Sequence, residues 1–378
     1  MVDRIDQRSI ELQVRCLTDN PEANSMLLGC VGCVQFSQCG GLSVEERIFD
    51  CLALCCGVEA SCTQMCPNAA ERFVGQTREI GGFGFENVPR TPILGYRASD
   101  DVAELIYHGS KRAERLTADI VALRLADLVD FRNGMAKYKS HEQLLEFFKL
   151  SKSARLIVSG VDHDRSIEPW WTLGEARRPI IDDLRNLGIE LITAPNFSVV
   201  LDVPRSDNLH SMKRIALTFA EFQRAGIPCA LHPNGRTERD FARWATFITG
   251  RPEVEVLAYE FITGPGLKAR RQFHIDMLVM LAKSAKRPLD LVIRGDPRVM
   301  AALRPYFRNV IYIDTTAFVK TMKRREAERL ANHLLDWNAV PTLPSELLDK
   351  RLQHNVDEQV AYIRNAHYGT DVVQSQAA

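Results

Sequence analysis

The chain has 378 residues, 46% of them hydrophobic and 25% charged, which suits one large folded core or two modest ones and excludes a disordered chain. Its 48 lysines and arginines balance 48 aspartates and glutamates, so no global field draws it to nucleic acid or to an acidic membrane, and a polyanion has to be met by a local patch. No stretch reads as a transmembrane helix, and the N-terminal MVDRIDQRSIELQV scatters charges where a signal sequence has an apolar core, so a cytoplasmic protein is expected.

Nine of the ten cysteines fall between Cys16 and Cys66. In a reducing compartment such a cluster points to bound metal rather than to disulfides. Cys30, Cys33, Cys39, Cys51, Cys55, Cys56, Cys62 and Cys66 supply eight thiolates, enough for two four-coordinate centres, with Cys16 to spare. The stretch GCVGCVQFSQCGG places a close C-x2-C pair beside glycines that let backbone approach a metal or inorganic sulfide. It resembles the auxiliary-cluster motif of SPASM-type radical enzymes. CTQMCPN ends in C-x3-C-P, as a bacterial ferredoxin run does, without the C-x2-C-x2-C that precedes it there. No C-x3-C-x2-C occurs to bind a radical S-adenosylmethionine cluster, and no histidine falls in residues 1–88 to make a mixed Cys/His finger. An iron–sulfur cluster or zinc, in one or two centres, is therefore expected to staple a small module over residues 1–88. The tenth cysteine, Cys229, sits in GIPCALHPN and reads as a small buried hydrophobe.

The stretch GGFGFENVPRTP breaks any regular element, and beyond it short apolar runs alternate with longer amphipathic ones. Strands are expected near Pro92–Gly95, Asp119–Leu125, Arg155–Gly160, Glu190–Ala194, Pro228–His232, Val254–Tyr259, Leu289–Arg294 and Val310–Asp314. Helices are expected over Asp101–Arg115, His141–Leu150, Pro169–Leu187, Asn208–Ala225, Arg239–Thr249, Leu267–Lys286, Pro297–Phe307 and Ala317–Trp337. Ser140 and Thr237 suit N-caps, and Gly188 and Gly226 suit left-handed helix ends. Regular β/α alternation points to a parallel sheet covered by helices, and eight repeats over residues 89–340 fit a (β/α)8 TIM-like barrel, with an open doubly wound sheet as the alternative. Residues 341–378 read as a C-terminal helix, packed on the barrel, and a polar tail.

In such a barrel, chemistry collects at the carboxyl ends of the strands. GVDHDRS, APNFS, HPNGR, YEF, RGD and DTT all fall there. Asp164 and Asp296 suit helix caps, whereas Asp162, Glu260 and Asp314 stand closest to the strand ends and are the preferred catalytic carboxylates, joined by His232. Asn196, Phe197, Asn234, Arg236, Tyr259, Arg294, Thr315, Lys320 and Arg324 are the substrate-binding set. Lys320 and Arg324 are expected one helical turn apart on a shared basic face, near the place where barrels often bind phosphate.

The stretch Thr193–Asn234 resembles a bacterial and phage-associated family with a T-P-[DN]-F-S…D-x-P…GI-x-V-I-P pattern. It covers about a tenth of the chain, and Ala194 stands as an extra residue between Thr193 and Pro195. That resemblance implies a setting of mobile elements and phage defence. At the level of fold alone, a barrel with a cysteine-bound metal is similar to the tRNA-guanine transglycosylase group, whose members break the bond between a base and its sugar.

Three functions follow from these residues. The first is cleavage or exchange of a nucleobase, modified or not, at its N-glycosidic bond, in DNA before RNA. Asp162 and Glu260 would face the sugar, Tyr259, Phe197 or Trp170 would stack on the extruded base, Asn196 and Asn234 would read its edge, and the basic segment after Asp314 would hold phosphates. The second is a metal-dependent phosphodiesterase or nuclease using His163, His232, Asp162, Glu260 and Asp314 as ligands. The third is a non-enzymatic adaptor whose cysteine module binds nucleic acid.

Overall fold

The computed structural model describes residues 70–199, 205–331, 334–343 and 345–369. The cysteines from Cys16 to Cys66, the metal or cluster expected on them, and the polar tail from residue 370 lie outside the described residues. Among the described residues no helix is long and apolar enough to cross a membrane.

Eight parallel strands form the central sheet: β1 (Asp101–Leu105), β2 (Ile120–Arg124), β3 (Arg155–Ser159), β4 (Ile189–Thr193), β5 (Cys229–Ala230), β6 (Val256–Phe261), β7 (Asp290–Gly295) and β8 (Val310–Asp314). Their order is β5-β4-β3-β2-β1-β8-β7-β6. The two ends meet through a single parallel bridge, Leu231 to Leu257, in which Leu231 N donates to Val256 O (3.0 Å) and Ala258 N to Leu231 O (2.7 Å). The strands thus follow one another around a nearly closed barrel, in line with the TIM-like expectation. Small and branched residues fill its interior, among them Ala103, Ala122, Ile157, Leu191, Ala258 and Ile313. Helices cover the outer faces, so most strands are buried on both sides and read as continuous apolar runs.

Two compact units can be distinguished. The second comprises Arg90–Asn196, Thr218–His232 and Arg251–Ala378, and holds all eight strands. The first gathers the described residues up to Pro89 with Phe197–Leu217 and Pro233–Gly250. Within it Phe85 stacks on Trp244 with ring centroids 4.6 Å apart, and Arg243 donates to Phe83 O at 2.8 Å. Lys213, wholly buried, donates to Gly84 O and Asn87 Oδ1, which is how a buried ammonium is tolerated there.

Helix ends follow local chemistry. Ser140 accepts from Gln143 N, Thr237 and Asp240 form a reciprocal capping box, and Gly188 and Gly226 take positive φ of 69° and 82°.

Five expectations need correction. The first barrel strand is Asp101–Leu105, not Pro92–Gly95, and the helix expected over Asp101–Arg115 does not form. The reason is that Val102, Ala103, Leu105 and Ile106 are all buried, a two-faced burial that a surface helix cannot give. The segment Pro169–Leu187 is divided between two helices, Asp164–Thr172 and Arg177–Arg185, with Gly174 at φ 53° between them. Pro297–Phe307 is a run of short turns, 3-10 at Pro297–Val299 and Arg304–Tyr306 around Met300–Leu303. The long helix Ala317–Trp337 is replaced by a short one, Thr316–Met322, and an antiparallel hairpin, Arg325–Arg329 with Leu335–Ala339. Buried Asn355 overrides the helix propensity of REAER by accepting from Ala327 N (2.8 Å) and donating to Arg325 O (2.9 Å).

Candidate active site at the barrel mouth

The carboxyl ends of β2, β3, β6 and β7 bring a charged cluster to one end of the barrel. Arg124 ends β2, Asp162 follows β3, Glu260 is the penultimate residue of β6, and Arg294 lies beside it on β7 in register. Arg124 donates from Nη1 to Asp162 Oδ2 (3.1 Å), and from Nε and Nη2 to the two oxygens of Asp127 (2.7 Å each). Its guanidinium lies over the Tyr107 ring, 4.7 Å from the centroid. Arg294 donates to Val161 O at 2.9 Å and so ties β7 to the turn that carries Asp162. Asn196 N donates to Gly160 O (3.0 Å), and the Asn196 side chain hydrogen-bonds Glu260.

The two carboxyl groups sit in different surroundings. Burial pushes the Glu260 pKa up, and nearby Asp162 adds to this, while Arg294, the Asn196 hydrogen bond and His163 pull the other way without cancelling it. Asp162 is instead clamped by Arg124, with its side chain 8% exposed. Tyr107 is half-buried beside them, its hydroxyl pushed up chiefly by burial.

The other residues singled out from the sequence lie elsewhere. Asp314 is buried on the helix side of the sheet, accepting from Thr316 N (2.7 Å), Ala317 N (3.3 Å) and Gln359 Nε2 (3.0 Å). His232 and Tyr259 are both 2% exposed and stacked on each other with centroids 5.4 Å apart, and Tyr259 Oη meets His274 Nδ1 at 2.7 Å. Burial lowers the His232 pKa to about 3, so its imidazole is neutral at physiological pH. Thr315 is half-buried at the start of helix Thr316–Met322, and Lys320 sits 5.6 Å from the Trp337 ring.

Arg324 has φ 56° beyond the end of that helix and donates to Met322 O (3.3 Å), so it shares no helix face with Lys320. In the first unit, Asn234 donates to Phe197 O (3.2 Å), Arg236 to Val199 O (2.7 Å), and Arg214 covers the Phe197 ring at 4.1 Å. Cys229 is buried, its thiol pushed well up by burial.

Sequence reasoning missed Arg124 and Tyr107. Arg124 carried a usable signal, a cation at the carboxyl end of the apolar run IVALR. Tyr107 was hidden because the first strand was placed too early. Among the described residues no three His, Cys, Asp or Glu side chains converge as a metal site requires, so His163, His232, Asp162, Glu260 and Asp314 do not form one ligand set.

The fold and the cluster together define a parallel β/α barrel with two carboxyl groups at its mouth, Glu260 largely buried and Asp162 clamped by Arg124. No protein-family model matches the sequence, and no curated protein matches it.

Proposed function

We propose that this chain cleaves or exchanges a nucleobase at its N-glycosidic bond, with DNA as the first substrate class. The observation that carries the reading is the Asp162–Glu260 pair, two carboxyl groups at one barrel mouth, one ion-paired with Arg124 and the other with its pKa raised by burial. As the bond from the sugar to the base breaks, its electron pair leaves with the base and Glu260 gives its proton to a base nitrogen. Positive charge develops on the sugar, and Asp162 faces it. In hydrolysis Asp162 then takes a proton from the water that attacks the sugar; in exchange an incoming base replaces that water. Arg124 is a positioning residue that holds Asp162.

The test is mass spectrometry of released bases, with detection of abasic sites, over DNAs and RNAs carrying normal and modified bases, hypermodified phage cytosines included. Release by the wild type, reduced about 100-fold to 10,000-fold in Glu260→Gln and Asp162→Asn variants that melt normally, supports the proposal. Strand scission that depends on divalent metal with every base retained would replace it with the phosphodiesterase reading. Unchanged nucleic acid throughout would leave the adaptor reading.

A further inference from the structure

Directly after Glu260 the chain leaves β6 as FITGPGLKARR, Phe261–Arg271. Two aliphatic side chains on this loop stand in water, Ile262 at 45% and Leu267 at 61% exposure. The loop is a fixed turn. Gly264–Gly266 form a single 3-10 turn in which Gly266 N donates to Thr263 O (2.8 Å), and Arg271 Nη2 donates to Gly266 O (3.0 Å). The turn also presses on the end of β6, since a Cβ added at Gly266 would come 2.5 Å from Phe261 O.

The loop runs straight into helix Lys268–Ala285, whose first turn holds Lys268, Arg270 and Arg271 and no acid. A helix N-terminus is the positive end of its dipole and ordinarily attracts acids. Cations there weaken the isolated helix, and an anionic partner would offset that cost. The next loop adds Arg298, 72% exposed on its side chain, and Arg271 and Arg298 share the single carboxylate of Asp296 at 2.9 Å and 2.8 Å, leaving the trio positive. Two exposed aliphatic side chains framed by cations, on the lip beside a glycosidic acid, match what is needed to enter a base stack while gripping the backbone.

We infer that the Phe261–Arg271 loop is a nucleic-acid wedge. Ile262 and Leu267 fill the stack beside the nucleotide whose base turns toward Glu260, and Lys268, Arg270 and Arg298 take flanking phosphates. The inference rests on the N-glycosidic reading for its geometry, but its test does not need turnover.

The probe is a DNA duplex in which 2-aminopurine stands next to an abasic-site analogue, titrated with the full-length wild type and with Glu260→Gln, and 2-aminopurine fluorescence reports unstacking. Both proteins should raise the signal. An Ile262→Ser/Leu267→Ser variant should bind with a similar salt dependence and lose at least half of that rise. A Lys268→Ala/Arg298→Ala variant should bind more weakly, with the slope of log K against log salt reduced by about 2. A wedge variant that still gives the full rise would overturn the inference, as would binding to anionic phosphatidylserine vesicles without binding to DNA. Unstacking without base release would sink the N-glycosidic reading and keep the wedge; base release at an undiminished rate in the wedge variant would do the reverse.

Discussion

Glu104→Gln is the sharpest perturbation of the fold. Glu104 on β1 stands beside Asp314 on β8, in register, and both are 1% exposed. Asp314 receives three N–H donors, whereas Glu104 has one, Phe318 N at 2.7 Å on Oε1, and its Oε2 receives none. Burial, and then the neighbouring Asp314, push the Glu104 pKa well above its ordinary 4.5, so folding favours the protonated form, which can donate to Asp314.

An unfolded chain releases that proton near pH 4.5, so the pair's stability is whole below that pH and declines as pH rises toward the folded value, by up to about 1.4 kcal/mol per unit. Glutamine keeps the shape, supplies a permanent N–H toward Asp314 and cannot ionise. Melting followed by circular dichroism should show the two proteins within about 1 kcal/mol at pH 5 and the variant gaining on the wild type from there to pH 7, by up to about 1.4 kcal/mol per pH unit, or roughly 2 °C in Tm per unit for a chain of 378 residues. Parallel stability curves across that range, or a variant that is weaker at every pH, would refute the protonated pair.

Other substitutions probe other parts of the account. His232 is neutral and buried, with neither ring nitrogen hydrogen-bonded, and its pKa falls from 6.5 to about 3. Stability present above pH 6.5 is therefore lost as pH falls toward 3, on the order of 5 kcal/mol in all, and His232→Leu should flatten that acid limb in a pH–melting series while changing stability at pH 7.5 by less than about 1.5 kcal/mol. Gly295 has φ 110°, and a Cβ there would lie 2.5 Å from the Phe261 carbonyl carbon, so Gly295→Ala should cost about 2–4 kcal/mol in urea unfolding. Arg124→Met frees Asp162 from its clamp and should lower single-turnover base release about 100-fold, with partial recovery in Arg124→Lys.

Much of the barrel was legible because β2 to β8 are short apolar runs bounded by turns, the signature of strands buried on both faces. β1 was not legible, since Asp101 and Glu104 give DVAEL an amphipathic look that is resolved only by Asp314 on a strand more than two hundred residues away. The hairpin Arg325–Ala339 was hidden for a similar reason, its helix-forming sequence being redirected by Asn355 from the C-terminal helix.

At the site, proximity to a strand end singled out Asp162, Glu260 and Asp314 alike but did not say which way each side chain points. Successive strand residues face opposite sides, so Glu260 at the mouth obliges Tyr259 to turn away, where it meets His274. Asp314 likewise faces away from the interior filled by Ile311 and Ile313.

The central claim is that Glu260 protonates a departing base. The measurement that tests it most directly is the pH dependence of single-turnover base release by the wild type and by Glu260→Gln, on a substrate found in the base-release panel. The account predicts wild-type release that declines on the alkaline side as Glu260, its pKa raised by burial, loses its proton, and a variant that is both slow and without that decline. Equal rates, or the same alkaline limb in both proteins, would contradict it.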